Sequence, residues 1–353
     1  MCIEERELTV FISSLHIKEF RGIRECKSPL SLSKFTVLLG RNNSGKSAVL
    51  EALSLFPNFK VSKLYLNQLS SIEFLKNLHA GYSSLIYGYS GIAELNCTLK
   101  GEKLKITLED NNQFSLLADD KVPFLDKGQR FEKREFTEPA QALKRIANSI
   151  DGDRDDNWKL GNSTFFIPND TSFMDGLQTG MKDDYVWNLI TKTGANSKVI
   201  QLVNKCVDDK YSEVLRTPEL SARKERGSEK LPFYVKIKDL GEGIQKVVTT
   251  ALWLEALNPQ LILWDDFEGS AHPSLINVLV EWIAKKPWQV ILSTHSFDVL
   301  NSILNVRPEG TEVIQLKKTD NDALIQNSLT LQELEDIVDS SQDPRKMVDL
   351  LDL

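Results

Sequence analysis

The segment Gly40-Arg41-Asn42-Asn43-Ser44-Gly45-Lys46-Ser47, entered from the apolar run Phe35-Thr36-Val37-Leu38-Leu39, leaves this chain few folds to choose from. It is a complete G-x-x-x-x-G-K-[ST] phosphate loop. Backbone N–H groups of such a loop converge on anionic oxygens, Lys46 can reach the β- and γ-phosphates, and the Ser47 hydroxyl can ligate Mg²⁺. Val49, Leu50, Leu53 and Leu55 recur at helical spacing after it, so a helix N-terminus should point at the phosphates. Strand, loop and helix in this order demand an α/β sheet.

The rest of the chain supplies that sheet. Leu261-Ile262-Leu263-Trp264 and Val290-Ile291-Leu292 read as buried strands, and Gly243 to Leu257 reads as a long helix ended by Asn258-Pro259. Strand, helix and strand in succession imply parallel pairing. Before the phosphate loop the pattern is β–β, with Leu8 to Ile12 and Leu15-His16-Ile17 alternating. Gly81 to Leu117 is rich in strand formers between turn residues and reads as a small antiparallel subdomain. Between Pro123 and Glu229 the composition turns charged and helical, as in Ala140 to Ile150 and Val199 to Leu215, around one apolar strand, Thr164 to Pro168. Arg223 to Lys230 reads as an exposed loop, and Leu329 to Leu353 as one or two acidic amphipathic helices.

Metal chemistry has an obvious donor. Asp265, at the end of the apolar strand Leu261 to Trp264, is the carboxylate to hold Mg²⁺ with Ser47, and Asp266 beside it can orient an attacking water. His295 follows the strand Val290 to Leu292 at the edge where ligands sit in open α/β sheets. Composition excludes other classes. The chain has 353 residues, 41% hydrophobic and 26% charged, with net charge −7 from 43 basic and 50 acidic residues. That balance gives no overall electrostatic footprint of a nucleic-acid binder; the two basic clusters, Lys127 to Arg134 and Arg223 to Arg226, each contain Glu. Cys2, Cys26, Cys97 and Cys206 lack C-x-x-C spacing, which argues against zinc or a disulfide framework. The acidic N-terminus and the want of a ~20-residue apolar stretch point to an intracellular, cytoplasmic protein with no membrane partner.

Together these blocks resemble ATP-binding-cassette ATPase heads, and more closely the RecF, SMC and OLD-like group of AAA-family ATPases. The resemblance rests on Ile17-Lys18-Glu19-Phe20-Arg21-Gly22-Ile23, Gly40 to Ser47, Asp239 to Lys246, Leu261 to Pro273 and Ser293-Thr294-His295-Ser296, in matching order and spacing. It implies an α/β P-loop NTPase of ABC-ATPase type: a mixed central sheet, an antiparallel β subdomain and a helical lobe. The implied organisation is one bilobed head over 1–353, with a nucleotide-binding lobe to about 120, a helical insertion from about 121 to 230, and a final lobe from about 231.

By this resemblance ATP and Mg²⁺ are the cofactors. Gly40, Arg41, Asn42, Asn43, Ser44, Gly45, Lys46 and Ser47 cradle the phosphates, Arg21 lies near the nucleotide, and Ser47 and Asp265 hold the metal. Gly241, Glu242 and Gly243 belong to a signature loop that reaches across a head-to-tail homodimer to ATP on the other subunit. Lys46, Asp266, Glu268 and the switch residue His295 are the catalytic set. The signature Ser is Gly241 here and the catalytic Glu is the shorter Asp266, with Glu268 able to share its role, so hydrolysis is expected to be slow. The glutamine-loop residue is open among Gln68, Gln113 and Gln129. No Toprim nuclease centre is visible, which suggests a switch acting on DNA or on a separate nuclease or toxin effector, in DNA repair or defence. An ATP-bound scaffold with little turnover is the alternative, ahead of a transporter motor.

Overall fold

The computed structural model of the chain describes residues 10–118, 138–225, 231–269 and 272–347. Leu8 and Thr9, the cluster Lys127 to Arg134 with its Gln129, and Arg226, Ser270, Ala271 and the tail beyond 347 lie outside the described residues.

The described residues open with β1 (Ile12–Phe20) and β2 (Ile23–Cys26), turning at Arg21-Gly22, and then the short β3 (Leu30–Ser31). Strand β4 (Phe35–Leu39) is buried at every position and runs through the phosphate loop into α1 (Lys46–Ser54). Next comes α2 (Ser71–Leu78), started by a capping box between Ser70 and Glu73. The meander β5 (Ile92–Leu99), β6 (Glu102–Glu109) and β7 (Phe114–Ala118) follows, with burial alternating along β5 and β6 as a half-solvated antiparallel sheet requires.

Helices α3 (Glu138–Asn148) and α4 (Asp156–Asn162) lead to β8 (Thr164–Ile167), and α5 (Thr171–Gly180), α6 (Asp184–Lys192) and α7 (Ala195–Val203) form a helical layer. A separate three-stranded antiparallel sheet, β9 (Tyr211–Thr217), β10 (Glu219–Lys224) and β11 (Phe233–Lys236), extends it. The last third runs α8 (Glu242–Leu257), β12 (Leu261–Trp264), α9 (Pro273–Ala284), β13 (Gln289–Thr294), α10 (Phe297–Val306), the hairpin β14 (Thr311–Lys318) and β15 (Ala323–Thr330), then α11 (Leu331–Asp339) and α12 (Pro344–Met347).

Among the described residues the main sheet has twelve strands in the order β7-β6-β5-β1-β2-β15-β14-β4-β13-β12-β8, with β3 added on β1. From β14 to β8 all neighbours are parallel; β15 turns antiparallel on β14 and joins the antiparallel half through β2. The parallel strands are covered on both faces, hence their unbroken apolar runs. Phe35, Val37, Leu39, Ile262, Trp264, Val290 and Leu292 point into one core with α5 to α10. Leu38, Leu261, Leu263 and Ile291 point into the other, with α1 and the antiparallel half. No helix among the described residues is long and apolar enough to cross a membrane.

The mixed α/β sheet with its antiparallel subdomain and helical lobe is therefore as expected. Two local expectations are corrected. The helix over Val199 to Leu215 stops at Val203, and Tyr211 to Thr217 forms β9 instead, paired antiparallel with β10. Arg223 and Lys224 are strand residues, not loop; ion pairs of Arg223 with Glu213 and Glu225, and of Lys224 with Asp209, neutralise them within the sheet. The β14–β15 hairpin went unread from the sequence because its apolar positions are diluted by Lys317, Lys318, Gln326 and Asn327.

Candidate functional site

Parallel register brings the chemistry together. Leu39 pairs with Thr294, and Trp264 pairs with both Leu292 and Ile167, so β4, β13, β12 and β8 end at one sheet edge. Continuing the register by one and two residues sets Asp265 beside Ser293 and Asp266 beside Asn169. The phosphate loop, the carboxylates and His295 all emerge there.

Within the loop, Gly45 has φ 99° and Asn43 φ 62°, the left-handed turns that let successive N–H groups face inward. Gly40 is confined by packing: a Cβ there would sit 2.4 Å from Ser44 Oγ and 2.6 Å from the Leu316 carbonyl oxygen. Lys46 donates to the Gly40 and Arg41 carbonyls at 2.8 and 2.9 Å, holding its ammonium inside the loop. Burial pushes the Lys46 amine below its usual range, against the opposing pull of Asp266, Asp265 and Glu268. Ser44 Oγ is buried and has no hydrogen-bond partner among the described residues.

Asp265 is buried and accepts hydrogen bonds from Ser47 and from Ser293 Oγ, the latter at 2.6 Å. Desolvation raises its carboxyl above the usual carboxylate range, and those two hydroxyls pull it back. Ser293 Oγ also accepts from the Asp266 N–H at 2.9 Å, so one hydroxyl ties both carboxylate positions to β13. Asp266 is left-handed, φ 46°, and its Oδ2 accepts from the Asn169 amide at 2.7 Å. Glu268 Oε1 accepts from the His295 N–H at 2.8 Å and lies 2.9 Å from His295 Nδ1, which is also 3.5 Å from Asp266 Oδ1. Arg345, from α12, donates to the His295 carbonyl at 3.1 Å and fixes that turn from outside.

Residues 35–301 match the family described as "AAA domain, putative AbiEii toxin, Type IV TA system". The chain belongs to this AAA-domain family. Among curated proteins, it is 34% identical over 106 residues to an uncharacterised protein of Methanocaldococcus jannaschii, a stretch that covers 29% of this chain and 48% of that protein. The match thus spans about half the length of that relative. Among solved structures, it is similar to an SMC head bound to the C-winged helix domain of ScpA, with TM-score 0.59 and 13% identity over 93% of this chain and 100% of that one. It is also similar to the SMC head domain from Thermotoga maritima, with TM-score 0.51 and 15% identity over 91% and 100% of the two chains. At that identity the likeness is one of fold: this AAA domain has the architecture of an SMC-type head.

The residues of the AAA domain fit a magnesium-bound nucleoside triphosphate. The Lys46 amine and the unpartnered Ser44 hydroxyl line the loop, and the hydroxyl–carboxylate pair Ser47 and Asp265 has the hard oxygen donors that Mg²⁺ requires. The expected signature residues open a neighbouring helix, and Glu242 lines the same cleft as Asn169, Lys246 and Gly269. Gly241 is the N-cap of α8, Glu242 and Gly243 form its first turn, and the helix packs against α5, α6 and α7. Gly241 is exposed, and a Cβ placed on it would meet nothing within 4 Å. Lys246, one turn on, faces the carboxylates; burial lowers its amine, while Asp266 and Glu268 oppose the shift.

Arg21 sits in the β1–β2 turn with φ 54° and is held by Glu51, one α1 turn beyond Ser47, at 2.8 Å, and by the Ser84 carbonyl at 3.1 Å. Glu51 is also 3.0 Å from His79 Nε2. Of the glutamine candidates, Gln68 lies in the turn before α2 and Gln113 in the β6–β7 turn at the far end of the sheet. The amide at the carboxylates is instead Asn169, which the sequence reading missed, as it did the hydroxyl of Ser293. The signal for both was register: each follows an apolar strand by a spacing that pairing with Leu261 to Trp264 converts into contact.

Proposed function

We propose that this AAA domain binds and slowly hydrolyses ATP, forms a head-to-tail homodimer around it, and acts as a switch on DNA or on a separate effector. One observation carries the reading: Lys46, Ser47, Asp265, Asp266, Glu268 and His295 converge at one sheet edge, whereas Gly241 to Gly243 open a different helix to solvent. A glycine turn at a helix N-terminus presents free N–H groups and the positive dipole end, which suit the γ-phosphate of nucleotide held by a second copy.

In this reading Lys46 leaves its own loop carbonyls for the β- and γ-phosphates. Bound at Ser47 and Asp265, Mg²⁺ would neutralise phosphate charge. Asp266, or Glu268 in its place, accepts the proton of an attacking water, and His295 donates a hydrogen bond toward the γ-phosphate. Asn169 holds Asp266 by Oδ2 and leaves Oδ1 on the side of His295, where the water would sit between them. The same clamp, with Gly241 in place of a hydroxyl, supports a second reading, an ATP-bound scaffold whose assembly is the output. The family description, which names a putative toxin of a Type IV TA system, supports a role in defence alongside DNA repair.

Light scattering of the purified chain with Mg²⁺ and ATP, alongside phosphate release with and without duplex DNA, tests this. ATP-dependent dimers that Lys46→Ala abolishes, with DNA-stimulated turnover, are expected. Dimers without turnover select the scaffold; nucleotide binding and assembly indifferent to Lys46→Ala refute both.

A further inference from the structure

We propose that Asp266, Glu268 and His295 form a binding site for a transition-metal dication such as Zn²⁺, separate from the Ser47–Asp265 position, and that its occupancy blocks turnover. The block rests on the function proposed above; the site does not.

Three ligand atoms already converge. His295 Nδ1 is 2.9 Å from Glu268 Oε1 and 3.5 Å from Asp266 Oδ1, and one donor atom from each residue lies within 4.8 Å of the others. A tetrahedral ion with bonds of about 2.0–2.2 Å sets its ligands roughly 3.3–3.6 Å apart, so small side-chain rotations close the cage. The Glu268 side chain is 12% exposed, and its Oε2 is enclosed with no hydrogen-bond partner among the described residues. A carboxylate oxygen shut away from water without a donor is costly unless a cation meets it.

Each ligand also has an outer partner that orients it. The Asn169 amide holds Asp266 Oδ2 and leaves Oδ1 turned to the imidazole; the His295 N–H holds Glu268 Oε1; Arg345 holds the His295 carbonyl. Such second contacts are what give metal sites their rigidity. Two carboxylates and one imidazole leave a coordination position for water. The imidazole nitrogen selects Zn²⁺, Co²⁺ or Ni²⁺ over Mg²⁺ and Ca²⁺. His295 is 60% exposed, which gives the ion a way in.

Two cations now face these carboxylates, the Lys46 ammonium in the phosphate loop and the Lys246 ammonium, whose Nζ lies 2.9 Å from where a Gly269 Cβ would be. Metal and ammonium compete for the same charge. Once bound, the ion takes the lone pairs of Asp266 and Glu268 that would receive the proton of water.

The test titrates the metal-free, nucleotide-free full chain with Co²⁺, read by visible absorption, and with Zn²⁺, read by calorimetry. One ion per chain is expected. His295→Ala and Glu268→Gln should each weaken binding at least tenfold and bleach the Co²⁺ bands, whereas Lys246→Met and Lys46→Ala, each removing an ammonium that faces these carboxylates, should bind several-fold tighter. Wild-type affinity in His295→Ala, or equal competition by Mg²⁺, overturns the site. Turnover unchanged by stoichiometric Zn²⁺ in a protein that binds it overturns the block. A metal-free chain that never hydrolyses ATP counts against the proposed function and leaves the site standing.

Discussion

Ser293→Ala removes one oxygen that serves two carboxylate positions at once. Its Oγ donates to Asp265 Oδ1 at 2.6 Å and accepts from the Asp266 N–H at 2.9 Å, and the residue is fully buried. Deletion leaves a buried N–H without an acceptor and strips a charge-assisted donor from a buried carboxylate. Losses of that kind cost about 1–3 kcal/mol each, and sharing of one atom makes them less than additive, so the unfolding free energy should fall by about 2–4 kcal/mol. The functional effect has a definite sign. Burial raises the Asp265 carboxyl while Ser293 and Ser47 lower it, so losing Ser293 raises it further. Metal binding needs the ionised form, and the variant should therefore require a higher pH for Mg²⁺-dependent nucleotide binding. Urea unfolding and a fluorescent-nucleotide titration across a series of pH values read both effects. Ser293→Cys, with its weak donor, should fall between. Wild-type stability together with an unshifted pH dependence in Ser293→Ala would refute the claim that this hydroxyl organises the carboxylates.

Three further substitutions probe other parts. Gly40→Ala forces a Cβ against the Leu316 carbonyl at 2.6 Å; backbone must move, so nucleotide affinity should drop at least tenfold with a loss of about 1–3 kcal/mol in unfolding free energy, and near-wild-type affinity by titration would contradict the packing argument. Lys63 is fully buried, donates to the Gly161 and Thr164 carbonyls at 3.0 and 3.3 Å, and has its pKa pushed down to about 7. The unfolded chain then binds more protons between that value and roughly 10.4, so stability rises with pH across this window; wild type should gain about 2 kcal/mol from pH 7 to 9 in urea melts relative to Lys63→Met, and parallel pH profiles of the two proteins would count against it. Gly241→Ser adds a side chain into open space at a helix N-cap, so it should leave the melting temperature unchanged or slightly raised while increasing ATP-dependent dimer and turnover; an unchanged dimer equilibrium would remove Gly241 from the interface.

Much of the parallel half was legible because both of its faces are buried. Phe35 to Leu39, Leu261 to Trp264 and Thr164 to Ile167 are continuous apolar runs with nothing to confuse them, and the phosphate loop fixes which edge carries ligands. Legibility failed where one face meets solvent or where partners come from a different strand. Tyr211 to Thr217 mixes buried Tyr211 and Val214, three residues apart, with polar and charged residues, a pattern that about two turns of helix also satisfy. Asn169 carries no motif of its own: its meaning comes from lying 97 residues from Asp266 in sequence yet beside it in the sheet. Gln68 and Gln113 attracted notice by residue type alone, which says nothing about which sheet edge a turn occupies.

The four residues Asp265 to Glu268 hold three carboxylates, and their surroundings make them unequal. Asp265 continues β12, is buried, and is held by Ser47 and Ser293, so its charge is committed to a cation at the phosphate loop. Asp266 leaves the strand in the left-handed region, at a cost of about 1–2 kcal/mol for a residue with a Cβ. The Ser293 bond to its N–H and the Asn169 bond to its Oδ2 sustain that conformation. A side chain one methylene shorter than Glu could be carried nearer the edge by such a turn, so its shortness does not by itself exclude it from holding water. Glu268 is tied through the His295 N–H to the residue that follows β13. If Asp266 holds the water, Asp266→Ala should abolish turnover while Glu268→Gln only alters its coupling to His295. The reverse ranking in single-turnover phosphate release would assign the base to Glu268 and leave Asp266 a hinge.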